Sequence, residues 1–227
     1  MQAQLVFLHT SPVHVAGFDA LMQELAPGLK VHHHVDESLL IAAQQFGATD
    51  AAVIQKVEAA MHVASTNCAT DYVGMVVCTC SSIGGIAERM NGRSGLRTAR
   101  IDRAMADRAV ALGPRILLVA ALESTLDPTT ELLMESARAA SKTIEISTLL
   151  PEQAWGHFLQ GDRQAYLQAI SDAVRSALQD ATADIDVVVL AQASMAAAAE
   201  ELSDLGTEVL SSPRLGVARA ISALTHA

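Results

Sequence analysis

The chain has 227 residues, a formal net charge of −10 at pH 7, 51% hydrophobic residues and only 3% aromatics. That length buries one sizeable domain or two small ones, and the acidity argues against a general binder of nucleic acid or of anionic membranes. No run of about 18 apolar residues is present to cross a membrane, Met1-Gln2-Ala3-Gln4 lacks the basic start of a secretion signal, and three cysteines make a poor disulfide framework, so a cytoplasmic location is expected.

Gln4-Leu5-Val6-Phe7-Leu8 reads as a buried strand. His9-Thr10-Ser11 turns from it into a helix with Pro12 near the first position, where the missing N–H costs nothing. Phe18, Leu21, Met22 and Leu25 form the apolar stripe of that helix, and Pro27-Gly28 ends it. Residues 29–35 form a second strand carrying His32, His33 and His34, ahead of Asp36-Glu37-Ser38. Val53, Val57, Ala60 and Met61 mark a helix over 50–64, and the apolar run 73–79 is a third strand. It ends in Cys80-Ser81-Ser82, followed by a short helix over 83–90 and a loop over 91–95. Strand and helix alternate throughout, which predicts a parallel sheet.

The plan then restarts. Asp102 is placed to cap a helix that runs to Leu112 and is broken by Gly113-Pro114. A strand over 116–121 leads to a helix opened by Asp127-Pro128, then come a strand over 143–149, a short helix from Pro151 and a longer one over 162–181. The strand 185–190 ends in Ala191-Gln192-Ala193-Ser194-Met195 and continues into an alanine-rich helix to Leu205. After a short strand over 208–210, Ser212-Pro213 opens a terminal helix with Leu215, Ala218, Ile221 and Leu224 or Thr225 spaced for one face.

The halves match. Thr10-Ser11-Pro12 echoes Ser124-Thr125 with Asp127-Pro128, and Cys80-Ser81-Ser82 echoes Gln192-Ala193-Ser194. The expected fold class is α/β, with two similar domains over 1–100 and 101–211, each a small parallel sheet flanked by helices. The strand ends of the two domains are expected to enclose one cleft, and helix 212–227 to return to the first domain.

A cysteine at a strand end and helix start feels the positive end of the helix dipole, which eases thiolate formation. Cys80 is the candidate for that role. Cys78 is the reserve, pointing to the same side of an alternating strand. A disulfide between residues two apart on a strand is awkward, and Cys68, in a connection, reads as a packing residue. Adjacent histidines of 32–34 point to opposite faces and do not converge on one ion, so no metal is expected. Gly84-Gly85 lacks the lysine and spacing of a phosphate or dinucleotide loop. Asp36 and Ser38 are candidates to border the cleft. The six arginines between Arg89 and Arg108 read as a solvated basic face able to attract anionic substrates.

With Leu122-Glu123-Ser124-Thr125-Leu126-Asp127-Pro128-Thr129 and Leu210-Ser211-Ser212-Pro213, the order and spacing of these turns resembles the aspartate/glutamate/hydantoin racemase superfamily over most of the chain. The resemblance implies a cofactor-independent enzyme of amino acid metabolism with two pseudo-symmetric α/β domains. In its two-cysteine members, a thiol and a thiolate face the substrate α-carbon from opposite sides. The family places a hydroxyl two residues after the first cysteine, which Cys80 with Ser82 satisfies and Cys78 does not.

The second cysteine of the family falls at Gln192, and the histidine often found two residues beyond it falls at Ser194. A glutamine amide is no base near neutral pH. The resemblance therefore implies a member without the second thiol. Three readings stay open: a racemase- or isomerase-like enzyme moving a proton beside the carboxylate of a small amino or organic acid with Cys80 alone, a decarboxylase-type lyase with one-sided protonation, and a non-catalytic small-carboxylate binding protein. Ser11, Ser81, Ser82, Thr125, Gln192 and Ser194 are the expected substrate-binding residues, through helix-start N–H groups and hydroxyls, although each serine and threonine equally suits a plain helix cap. No cofactor is expected, and a homodimer is implied by the resemblance alone.

Overall fold

In the computed structural model, which describes residues 2–66, 72–180 and 184–225, the chain divides into two units, 1–102 with 213–227 and 103–212. Cys68 lies outside the described residues.

The first unit is built on strands β1 (Gln2–His9), β2 (Lys30–Val35), β3 (Tyr72–Cys78) and β4 (Thr98–Arg100), all parallel in the order β2-β1-β3-β4. A 3-10 turn, Pro12–His14, leads into helix α1 (Val15–Leu25), and α2 (Ser38–Phe46), α3 (Ala51–Thr66) and α4 (Ser81–Arg89) complete the layers. Strand alternation divides the side chains. Val6, Leu8, Val76 and Cys78 enter a core with Leu39 of α2, Val57 and Met61 of α3 and Ile83 of α4. Phe7 and His9 take the other face, where Phe18 of α1 meets both rings at 4.9 and 5.2 Å between centroids. Each fully buried large aliphatic contributes about 1.5–3 kcal/mol.

Two elements here go beyond the sequence reading. Helix α2 opens where Asp36 Oδ1 accepts the Ser38 N–H at 3.0 Å and the Ser38 hydroxyl as well, so this pair serves a helix start. Its period is blurred because only Leu39 and Ala43 are buried while Ile41 and Phe46 lie exposed. Strand β4 is three residues long, too short for alternation to register.

The second unit repeats the plan with helix α5 (Arg103–Leu112), strand β5 (Arg115–Val119), a 3-10 turn Glu123–Thr125, α6 (Leu126–Ala139), β6 (Glu145–Leu149), α7 (Ala154–Leu159), α8 (Arg163–Asp180), β7 (Val187–Leu190), a 3-10 turn Ala193–Met195, α9 (Ala196–Glu201) and β8 (Glu208–Ser211). The parallel order is β6-β5-β7-β8. Val119, Val188 and Leu190 pack against Tyr166, Ile170 and Val174 of α8 and Ala198 of α9.

Register fixes the equivalence of the units. Leu8 pairs with Cys78 as Val119 pairs with Leu190, and the N–H groups of Thr79 and Ala191 donate to Leu8 and Val119. Cys80 and Gln192 therefore occupy one position, as do Ser82 and Ser194. On the first strand of each unit, Thr10-Ser11 matches Ala121-Leu122, and His14 matches Thr125. The echo between Thr10-Ser11-Pro12 and Ser124-Thr125 with Asp127-Pro128 is thus corrected: hydroxyl content matches there, backbone position does not.

The last helix, α10 (Ser212–Thr225), belongs to the first unit from Pro213 onward. Its buried face is Gly216, Val217, Ala220 and Leu224, whereas Ala218 is exposed, which corrects the expected face of Leu215, Ala218 and Ile221. The cause is close approach: a Cβ on Gly216 would stand 2.0 Å from the Ile101 carbonyl oxygen. The expected basic face is also corrected. Arg93 lies 3.7 Å from Glu58, Arg97 donates to the Ala223 carbonyl, Arg100 binds Asp102, Arg103 is 2.6 Å from Glu135 and Arg108 is 3.1 Å from Glu208. Among the described residues, no helix is long and apolar enough to cross a membrane.

Candidate active site

In a parallel sheet, ligand sites form beyond the carboxyl ends of the strands where the strand order reverses. In the first unit that point lies between β1 and β3. Cys80 stands there, extended at φ −99° and ψ 118°, as the residue from which α4 starts. Ser81 and Ser82 open the helix and are buried. The half-buried Cys80 thiol accepts from the N–H groups of Ser82 and Ile83 and from the hydroxyls of Thr10 and Ser82.

Those donors favour the thiolate, yet removal from water outweighs them and holds the Cys80 thiol above its ordinary value. This corrects the expectation of an eased thiolate. The helix start pulls as expected, and burial wins. The resting group at neutral pH is a thiol, a proton donor that leaves its thiolate surrounded by donors.

Ser11 sits on the rim, its Oγ accepting the Val13 N–H at 3.5 Å. Thr10, rather than Ser11, is the hydroxyl from this turn that reaches the thiol. Cys78 is fully buried in the core under α2–α4, donates its S–H to the Cys80 carbonyl at 3.6 Å, and is pushed up strongly by burial. Both cysteines are free thiols.

Beneath the first turn of α4 lies a buried ion pair. Arg100 grips Asp102 with two bonds, Nε to Oδ1 at 2.6 Å and Nη2 to Oδ2 at 3.0 Å, and its Nη2 lies 3.5 Å from the Ser81 carbonyl. Gly84 is where the guanidinium passes: an added Cβ would meet Arg100 Nε at 3.0 Å. The pair Gly84-Gly85 therefore admits Arg100 rather than a phosphate.

A polar chain that the sequence reading missed runs along the other face of the sheet. His9 Nδ1 lies 2.8 Å from Thr79 Oγ1, His9 Nε2 lies 2.8 Å from His33 Nδ1, and His33 Nε2 lies 3.0 Å from Asp19 Oδ1. Burial first, then the neighbouring His33 and His14, lowers the His9 pKa to about 3. Burial likewise lowers His14 to about 4. Both are neutral imidazoles near pH 7. The available signal was His9 directly after an apolar strand, with His33 central in the next.

In the second unit the equivalent switch point lies between β5 and β7. Gln192 Oε1 accepts the Ala121 N–H at 2.6 Å and the Leu122 N–H at 3.1 Å. Only an oxygen accepts from two N–H groups, so these contacts fix the orientation of the amide. Ser194 Oγ lies 2.8 Å from the Tyr166 hydroxyl, which burial pushes up to about 12, keeping it a phenol. Thr125 is buried in its 3-10 turn, where its carbonyl accepts from the Thr129 hydroxyl at 2.8 Å. Of the expected site residues, the first unit gathers Ser11, Cys80, Ser81 and Ser82 at its strand ends, and the second gathers Gln192 and Ser194. Among the described residues, no three His, Cys, Asp or Glu side chains are placed to hold a metal ion.

No protein-family model and no curated protein matches the chain. Solved structures do match over nearly its whole length. An aspartate racemase from Picrophilus torridus aligns at TM-score 0.69 and 12% identity, covering 97% of this chain and 94% of that one. A glutamate racemase isoform from Bacillus anthracis aligns at TM-score 0.72 and 12% identity, covering 99% and 82%. An allantoin racemase from Pseudomonas fluorescens aligns at TM-score 0.61 and 15% identity, covering 98% and 92%. The chain shares the two-unit α/β fold of these racemases.

Proposed function

We propose that the chain is a cofactor-independent enzyme of the aspartate/glutamate/hydantoin racemase type that transfers a proton beside the carboxylate of a small amino or organic acid, with Cys80 as its single thiol acid/base. The observation that carries this reading is the thiol itself, set at the switch point of β1 and β3 with N–H and O–H donors directed at it. The minor fraction of Cys80 that has released its thiol proton to solvent acts as the base: this thiolate takes the proton from the α-carbon, and the electron pair of that C–H bond moves into the carboxylate as an enediolate. The resulting thiol returns a proton to the same face. The N–H groups of the α4 start, with Ser11, Ser81 and Ser82, supply hydrogen bonds for charge developing on carboxylate oxygens. At the strand ends of the second unit, Gln192, through its NH₂, and Ser194 are proposed as carboxylate donors, and Thr125 as a support of its turn.

Gln192 carries no proton to give or take at carbon. Inversion needs a second donor on the far face, so the expected chemistry is exchange without inversion, or decarboxylation of a substituted malonate with one-sided protonation. The test is a screen of small carboxylic acids in deuterated water followed by proton NMR. At least one acid should lose its α-proton signal with the wild type and keep it with Cys80→Ala, while Cys78→Ala remains active. Exchange undiminished in Cys80→Ala would remove the thiol from the mechanism.

The second reading, a small-carboxylate binding protein, is favoured by the anchored amide of Gln192 in the place of a thiol. It predicts thermal stabilisation by an acid that shows neither exchange nor turnover.

A further inference from the structure

The polar chain from Asp19 to Thr79 has two complete proton arrangements, and they differ by one proton. Thr79 Oγ1 lies within reach of two partners, His9 Nδ1 at 2.8 Å and the Leu8 carbonyl at 3.1 Å. A hydroxyl has one proton to donate. Suppose first that Thr79 donates to His9 Nδ1. His9 then carries its proton on Nε2 and donates to His33 Nδ1, and His33 donates from Nε2 to the Asp19 carboxylate. Each of these three contacts holds one proton and both rings are neutral, while the contact between Thr79 Oγ1 and the Leu8 carbonyl holds none.

Add one proton to His33. Both of its nitrogens now donate, Nε2 to Asp19 and Nδ1 to His9 Nε2. His9 must then carry its own proton on Nδ1 and donate it to Thr79 Oγ1, and the Thr79 hydroxyl turns to the Leu8 carbonyl. Now each contact holds one proton. Without the added proton this second arrangement fails, because His33 would face the Asp19 carboxylate with a lone pair.

We propose that Asp19, His33 and His9 form a one-proton relay that reverses the tautomer of His9, swings the Thr79 hydroxyl between His9 and Leu8, and thereby positions the strand end that carries Cys80. Thr79 immediately precedes Cys80, and its N–H already donates to Leu8 O at 3.0 Å. In the protonated state Thr79 holds the strand end to β1 by three bonds, donating twice to Leu8 and accepting from His9, and in the neutral state by two, donating once to each. The relay is accessible from outside, since the Asp19 side chain is 58% exposed while His33 is 14% exposed. The ionisable groups facing the two rings from packed elements are Asp19 of α1 and His14 of the 3-10 turn, whose ring centroid lies 6.2 Å from that of His9. β3 presents the Thr79 hydroxyl, and the remaining ring neighbours, Phe7 and Phe18, are apolar. His9 itself stays neutral because burial opposes its charging. The relay stands on these contacts and not on the proposed activity.

The test is nitrogen-15 NMR of the histidine rings of the full chain, titrated from about pH 8 to about pH 5. The expected result is that His9 remains neutral while its proton moves from Nε2 to Nδ1, in step with His33 becoming doubly protonated. A His9 that keeps one tautomer through the range, or becomes cationic within it, overturns the relay. The link to Cys80 is read by alkylation of the Cys80 peptide, followed by mass spectrometry. Wild type should show a step of about threefold tracking the His9 transition, absent in His33→Gln. Superimposable profiles for the two proteins would break the link.

Discussion

Cys80 is held between two opposed effects: desolvation, which keeps the proton on sulfur, and a ring of donors that would welcome its loss. Thr10 is the donor that can be removed with least damage, because it comes from another strand end. Thr10→Val should slow Cys80 alkylation at pH 8 by about tenfold or more, a hydrogen bond to a charged group being worth about 1.5–3 kcal/mol, while the melting temperature changes little. An unchanged alkylation rate would show that the Thr10 hydroxyl does not support the thiolate. His9 poses the complementary case of a base kept neutral by burial. Its value falls from 6.5 to about 3 on folding, so below about pH 6.5 the unfolded chain binds the extra proton and the folded chain does not. Stability is then fully present above that pH and is lost as pH falls toward 3, by up to about 1.4 kcal/mol per pH unit. Denaturant titrations at pH 7, 6 and 5 should show this slope added to a like one from His14, and His9→Asn should remove about half of the total.

The start of helix α4 works as a unit: Gly84 admits Arg100, Arg100 is neutralised by Asp102, and the turn above them carries the thiol. Asp102→Asn leaves a buried guanidinium without its counter-charge, which costs about 3–5 kcal/mol, and chemical denaturation should read that loss. Much of this element was legible in the residues. An apolar β-branched run followed by Cys80-Ser81-Ser82 marks a strand end and a helix start, and the parallel run to Gln192 marks its counterpart, because strand ends in such folds are bounded by sharp changes of residue type. The resemblance drawn from those turns predicted the two-unit α/β fold that the solved racemases share. What stayed hidden depends on distant partners. The His9 contacts join residues 24 and 70 positions apart, and local spacing carries no trace of them. Arg100 looked like one charge in a basic run although Asp102 stands two positions on, because the burial of that pair beneath Gly84 is a matter of packing. Helix α2 hid behind an apolar face half turned to solvent.

For the whole molecule, one plan is used twice with different contents. The switch point of the first unit holds a thiol among donors, and that of the second holds an amide whose oxygen is spent on its own backbone. The last helix returns to the first unit, packed on Ile101 through Gly216 and tied by Arg214 to Glu24 at 2.9 Å. Gly216→Ala gains helix propensity but drives a methyl into a carbonyl, so a net loss of roughly 1–3 kcal/mol is expected and thermal unfolding measures it. The difference between the units sets the central claim, that a single thiol serves one face of the substrate carbon. The most direct measurement is the configuration of an exchanging acid: a single enantiomer is incubated with the protein in deuterated water, and deuterium incorporation and enantiomeric purity are followed together. Deuterium should enter at the α-carbon with the configuration kept. A product that racemises as fast as it exchanges would contradict the account, because it requires a second acid/base besides Cys80.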